Sequence, residues 1–172
     1  MSDQFSNVND AIRHHLSARY PRIEASSVDG LRLPLGKVGG RRVWIRLGLR
    51  GGERASLYAM VAVRSTDADP LPAWLSGLAD AAERTAPRPL RQVIEPVARD
   101  VPEFDQFQLV APARSVVDKA WHWGPVVYAY TGDPPSMRGS TRCVAAMLDA
   151  IRPLVLAYVP GTDGVLGAPE PG

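Results

Sequence analysis

Val8, Ile12 and Leu16 recur at four-residue spacing near the start of the chain, which gathers their side chains on one face of an α-helix. The pattern predicts an amphipathic helix from Asn7 to about Tyr20, with Asn7 as N-cap, Asp10 in the first turn and Pro21 as its stop. The period then changes. Three apolar runs, Leu31 to Val38, Arg42 to Leu49 and Ala55 to Arg64, are separated by Gly39-Gly40 and Gly51-Gly52, whose access to positive φ suits tight turns. They predict a three-strand antiparallel meander.

Within it, Val43, Ile45, Leu47 and Leu49 alternate with Arg42, Trp44, Arg46 and Arg50, and Leu57, Ala59, Val61 and Val63 alternate with Tyr58, Met60 and Arg64. A two-residue Gly-Gly loop would pair Trp44 with Leu35 and with Ala59, setting the arginine face beside the apolar faces of both neighbours. Directly paired residues share a face, so that register conflicts with a single core. Odd-length turns remove the conflict; Gly39-Gly40-Arg41 with a glycine-assisted bulge is one. They set Tyr58 beside Arg46 and Met60 beside Trp44.

Beyond the meander, Asp69 as N-cap and Pro70 at the first helical position open a second helix with Leu71, Trp74, Leu75, Leu78 and Ala82 as its stripe. A short helix is expected over Leu90 to Asp100 despite Pro96. Phe104 to Val110 and Val126 to Thr131 read as a pair of strands; the second could start as early as Ala120 and be broken at Gly124-Pro125. Ser136 or Ser140 caps a final helix carrying Val144, Met147, Leu148, Ile151, Leu154, Val155 and Tyr158, kinked at Pro153. Cys143 adjoins its apolar face and is expected to be buried. The fold class is α+β: an antiparallel sheet of about five strands packed with N-terminal, central and C-terminal helices.

At 172 residues the chain fits one domain, assigned to 1–159. The proline- and glycine-rich remainder, 160–172, has too few apolar groups to offset its ordering entropy and is expected to be disordered. The 45% hydrophobic content excludes wholesale disorder, and one cysteine excludes a disulfide scaffold. A reducing, cytoplasmic setting is expected, with no membrane partner, because no basic-then-apolar leader and no spanning apolar run is present. Of 20 basic residues only Lys37 and Lys119 are lysine, which fits the codon bias of a GC-rich bacterial genome.

Charge changes this picture more than composition does. The net charge of +2 conceals seven basic residues between Arg32 and Arg54 against Glu53 alone, a local +6 that leaves −4 for the rest. Such clustering points to an anionic partner. Arg42, Trp44, Arg46 and Arg50 with Tyr58 and Met60 form the candidate partner-binding face, because exposed Arg, Trp, Tyr and Met are the types that dominate interface hot spots. The competing expectation is that another segment covers that face.

Catalytic signals are thin. Adjacent His14 and His15 lie about 100° apart on a helix, whereas a chelating pair needs i,i+4 spacing. Asp67 and Asp69 could hold Mg²⁺ at a strand end. His122, among Trp121, Trp123, Tyr128 and Tyr130, could serve as a general base, although no nucleophile motif accompanies it. No residue set asks for a cofactor or a metal. The expected function is therefore a non-enzymatic protein-binding or adaptor module, chaperone-like or self-associating, whose basic-aromatic face docks an acidic protein or a second copy. The alternative is a nucleic-acid-binding domain in which those arginines meet phosphates and Trp44 or Tyr58 stacks a base. An enzyme using Asp67, Asp69 or His122 ranks last. The order of helix, three strands, helix, two strands and helix is similar to that of type III secretion chaperones, small dimeric effector-binding proteins. The likeness lies in element order, without a shared motif, and the basic meander departs from the acidic character usual there.

Overall fold

The computed structural model describes residues 2–26, 30–51, 54–84, 89–101, 104–116, 119–129 and 136–166. The chain runs α1 (Ser2–Ser17), β1 (Glu24–Ala25), β2 (Leu31–Val38), β3 (Arg41–Arg50), β4 (Ser56–Arg64), α2 (Ala73–Arg84), α3 (Leu90–Arg99), β5 (Phe104–Arg114), β6 (Ala120–Ala129), α4 (Met137–Tyr158) and α5 (Asp163–Leu166). The six strands form one antiparallel sheet in the order β1-β2-β3-β4-β6-β5. The sixth strand, beyond the five expected, is β1, whose two residues are too few to show a period.

The register conflict read from the sequence is real, and each hairpin resolves it differently. Between β2 and β3 the turn does hold two residues: Val38 pairs with Arg41 across Gly39 and Gly40, at φ 60° and 80°. The odd residue sits inside the strand, where Pro34 pairs with Trp44 but Gly36 with Val43, so that Leu35 forms a bulge and the apolar sets realign. Between β3 and β4 the connection is odd, as expected, but longer. Arg50 pairs with Ser56, because Ala55 accepts a backbone hydrogen bond from Ala129 N (2.8 Å) and Arg54 reaches Ala129 O (2.9 Å from Nε). Both residues are drawn toward β6 and leave the β3 ladder. Met60 therefore lies opposite Arg46, and Tyr58 opposite Gly48, two residues from the positions expected.

Helix boundaries also moved for identifiable reasons. α1 begins at Ser2, placing Asn7 in its interior, while Val8, Ile12 and Leu16 are buried as the spacing predicts. α2 begins at Ala73: Leu71 precedes Pro72, a position that disfavours helical backbone. Asp69 instead closes the preceding turn, its Oδ2 accepting from Thr66 N at 2.9 Å. β6 continues through Gly124-Pro125. A Cβ on Gly124 would collide with Ala59 O and the Met60 Cα, so the missing side chain lets β6 seat against β4. Ser136 caps α4 by accepting from Gly139 N at 3.0 Å, and Cys143 is buried among the apolar residues of that helix.

Buried residues from the helices and from one sheet face (Leu33, Ile45, Leu47, Val61, Val127) belong to a single core cluster. The segment expected to be disordered from residue 160 packs as far as Leu166: Thr162, Val165 and Leu166 are buried, and Arg152 Nε donates to Leu166 O at 2.9 Å. Val165 and Leu166 join the core cluster and Thr162 Oγ1 donates to Val159 O at 3.2 Å, so the segment through Leu166 is packed; 167–172 lie outside the described residues. Asn9 ties α1 to the sheet. Its Oδ1 accepts from Leu49 N (2.8 Å) and its Nδ2 donates to Leu49 O (3.1 Å), serving backbone groups that lie past Leu31↔Leu47, the last β2–β3 pair. Among the described residues, no helix is long and apolar enough to cross a membrane.

Candidate ligand-binding cavity

The face of the sheet turned away from the helices carries the residues of interest, since strand alternation sends Trp44, Arg46, Tyr58, Met60 and Ala62 opposite to the core set. β6 extends that face: Tyr58 pairs with Val126, Ala62 with His122 and Ser56 with Tyr128. β5 completes it through Ala113 beside His122 and Gln106 beside Tyr128.

The face is not the flat, exposed surface that the sequence suggested. Trp44 is 6% exposed, packed in a small cluster with Ala62 and Ala120, Arg46 is 9% exposed and Tyr58 3%. Arg42 and Arg50 are exposed and Met60 is half-buried. What the face offers instead is a cavity of about 310 Å³. Arg46, Arg50, Tyr58 and Met60 converge on it from β3 and β4, whereas Arg42 and Trp44 do not line it. The far wall comes from Val110, Ala113, Arg114, His122, Val126 and Tyr128. His122 was singled out in the sequence as a base rather than as a wall of this site, and Arg114 was not singled out at all. The available signal was the period-2 set His122, Val126, Tyr128 on β6, which becomes informative only once β6 is known to pair with β4.

Arg46 Nη1 lies 3.1 Å from His122 Nε2. A guanidinium only donates, so Nε2 is the acceptor and the ring proton resides on Nδ1. The nitrogen that a general base would use is thereby directed at Arg46. Arg114 is held at the rim by four contacts: Nη1 donates to Asp67 O (3.1 Å) and lies 4.0 Å from Asp67 Oδ1, Nη2 donates to Asp69 O (2.9 Å), and the guanidinium stacks on Trp121, 4.9 Å from the ring centroid. Both Asp67 and Asp69 thus serve Arg114 through backbone carbonyls, and Asp67 through its carboxylate as well. The Asp69 carboxylate is engaged by Thr66 and, at 3.1 Å, by Arg41; the hydrogen bonds from Thr66, aided by the Arg41 and Arg114 charges, hold its pKa below the usual carboxylate value. Among the described residues, no group of three His, Cys, Asp or Glu side chains is arranged to hold a metal. Tyr130, from the aromatic cluster noted in the sequence, lies outside the described residues.

The basic run of Arg32 to Arg54 divides in space. Arg32 pairs with Glu24 at 2.5 Å and Arg41 with Asp69. Lys37, Arg41 and Arg42 sit at the Gly39-Gly40 end of β3, whereas Arg50 and Arg54 sit at the other end. A second hollow, of about 450 Å³, adjoins the cavity there. It shares Arg50, Ser56 and Tyr128 with the cavity and adds Arg54, Gln106 and Gln108. Arg54 Nη1 donates to Gln106 Oε1 at 3.2 Å and its guanidinium lies 5.7 Å from the Tyr128 ring centroid. Among the described residues that line either space there is no carboxylate. Comparison with protein-family models, with curated proteins and with solved structures found no match.

Proposed function

We propose that the protein is a non-enzymatic binding module that takes part of an acidic partner protein into the cavity and hollow on the helix-free face of its sheet. One observation carries the reading: Arg46, Arg50, Arg54 and Arg114 converge on two adjoining spaces on one face of the sheet. Guanidinium groups offer planar, paired donors suited to carboxylates. Nucleic acid is the competing partner, and the division of the basic run counts against it. A phosphate backbone needs a continuous track of accessible cations, whereas the exposed arginines of β3 here stand at its two ends, about 30 Å apart for its ten residues, with the buried Arg46 between them.

Poly-L-glutamate and a single-stranded oligo-dT of matched charge test the reading. Arg50→Glu changes a lining residue, and Lys37→Glu makes the same change of charge on the exposed hairpin outside the cavity. The expected result is salt-dependent binding of poly-L-glutamate that Arg50→Glu weakens at least tenfold and Lys37→Glu leaves within twofold, since local pairing rather than net charge sets the affinity. Equal loss in both variants, or no binding of the polymer, overturns the reading. Tighter binding of oligo-dT than of poly-L-glutamate replaces it with the nucleic-acid alternative.

A further inference from the structure

The two adjoining spaces differ in chemistry. The cavity's exposed lining is mainly apolar, from Met60, Val110, Ala113, Val126 and the tyrosines Tyr58 and Tyr128, with Arg46, Arg50, Arg114 and His122 among its walls. The hollow instead presents Arg50, Arg54, Gln106 and Gln108, with Tyr128 standing at the boundary. Their shared residues, Arg50, Ser56 and Tyr128, come from β3, β4 and β6, and the glutamines come from β5, so the combined site lies across four neighbouring strands. Three strand-to-strand steps span about 14 Å, and an extended peptide covers that in four or five residues at roughly 3.3 Å each.

Resting on the acidic-partner reading, we infer that the partner's recognised segment is a short extended stretch with one large apolar residue seated in the cavity and neighbouring acidic residues lying over the hollow. Volume and charge together support this occupant. A cavity of about 310 Å³ is at the small end of ligand sites, which run from about 300 Å³ upward, so it suits one aromatic or branched side chain. Burying that side chain supplies affinity that acids alone lack, while Arg50 and Arg54 confer the preference for carboxylates. Side-chain amides at Gln106 and Gln108 add donors and acceptors of the kind that hold a peptide backbone.

Fluorescence anisotropy with labelled, end-blocked peptides tests the inference. The probes are Phe-Glu-Asp-Glu-Glu, the same residues in reverse order, each with Ala in place of Phe, and each with Gln and Asn in place of the acids. One order of the Phe peptide is expected to bind at least tenfold tighter than its Ala counterpart, because burying the ring is worth at least one decade, and at least tenfold tighter than its amide counterpart. Met60→Trp, at a half-buried lining position, is expected to remove the advantage of Phe over Ala. Equal binding of the Phe and Ala peptides overturns the inference and leaves the acidic-partner reading intact. Equal binding of the acid and amide peptides overturns both. Retention of the Phe advantage in Met60→Trp and in a second filling variant, Val126→Phe, places the anchor elsewhere and overturns the assignment to this cavity.

Discussion

Removing the Asn9 side chain should detach α1 from β3 at one identifiable point. Asn9→Ala deletes both hydrogen bonds to Leu49, the acceptor at 2.8 Å and the donor at 3.1 Å. At roughly 0.5 to 1.5 kcal/mol each, their loss costs about 1 to 3 kcal/mol. Alanine returns up to about 0.7 kcal/mol in helix propensity at an interior position, so the net destabilisation is about 0.3 to 2.3 kcal/mol. Gly48 makes the argument sharper. Its φ is 128°, and a Cβ there would sit 2.5 Å from Asn9 Oδ1. Gly48→Ala therefore incurs backbone strain of about 1 to 3 kcal/mol and also displaces Asn9. The Asn9 bonds can be lost only once, so the double variant should be about 1 to 2 kcal/mol more stable than the sum of the single effects predicts. Urea unfolding with an unchanged m-value measures all four corners of the cycle. Asn9→Asp should fall between wild type and Asn9→Ala, because a carboxylate still accepts from Leu49 N but cannot donate to Leu49 O. Additivity within about 0.5 kcal/mol would show that Asn9 does not hold the edge of β3.

Further outcomes can be checked directly. Burial pushes the Cys143 thiol up to about 12, and burial followed by the nearby Asp149 carboxylate pushes the Tyr20 hydroxyl up to about 12. Both groups keep their protons in the folded state while the unfolded chain releases them, so stability should be level below about pH 8.5 and fall through pH 9 to 12. Tyr20→Phe should flatten that fall, and Cys143 should label in urea but only slowly in the native protein; rapid native labelling would refute its burial. Leu166→Ala should cost about 2 kcal/mol or more in unfolding free energy, since the side chain is 2% exposed within the core cluster. A change within about 0.5 kcal/mol would show that the segment after Val159 contributes no packing.

Side-chain periodicity carried most of the architecture. The spacing of Val8, Ile12 and Leu16 marks the buried face of α1, and the alternation through β3 and β4 marks the faces of the sheet. Pairing was less legible, because contacts remote in sequence fix it: Ala129 draws Ala55 out of the β3–β4 ladder, and the bulge at Leu35 corrects a phase that the two glycines leave wrong. The cavity was legible by halves for the same reason. Arg46, Arg50, Tyr58 and Met60 share a face by local alternation, whereas Arg114, His122 and Tyr128 join them through strands that follow two intervening helices. Trp44 was misjudged because burial depends on Ala62 and Ala120 across the sheet, and small neighbours give no signal of their own. Asn9 carries a polar side chain in a helix, which announces nothing until Leu49 is placed beside it.

The contact between α1 and α4 sets an order of events during biosynthesis. Arg19 and Tyr20 follow α1, yet both hydrogen-bond to Asp149 on α4, 130 and 129 residues later. At about 5 to 20 residues per second, ribosomes need roughly 6 to 26 s to bridge that interval. The strands of the meander are made meanwhile, and hairpins of that size close in microseconds. A half-finished chain would therefore hold its sheet with Ile45, Leu47 and Val61 uncovered on one side, awaiting a helix not yet translated. The vulnerable species in a cell is this nascent sheet, and synonymous codons that slow translation between α3 and α4 would lengthen its exposure without altering a single atom of the finished protein.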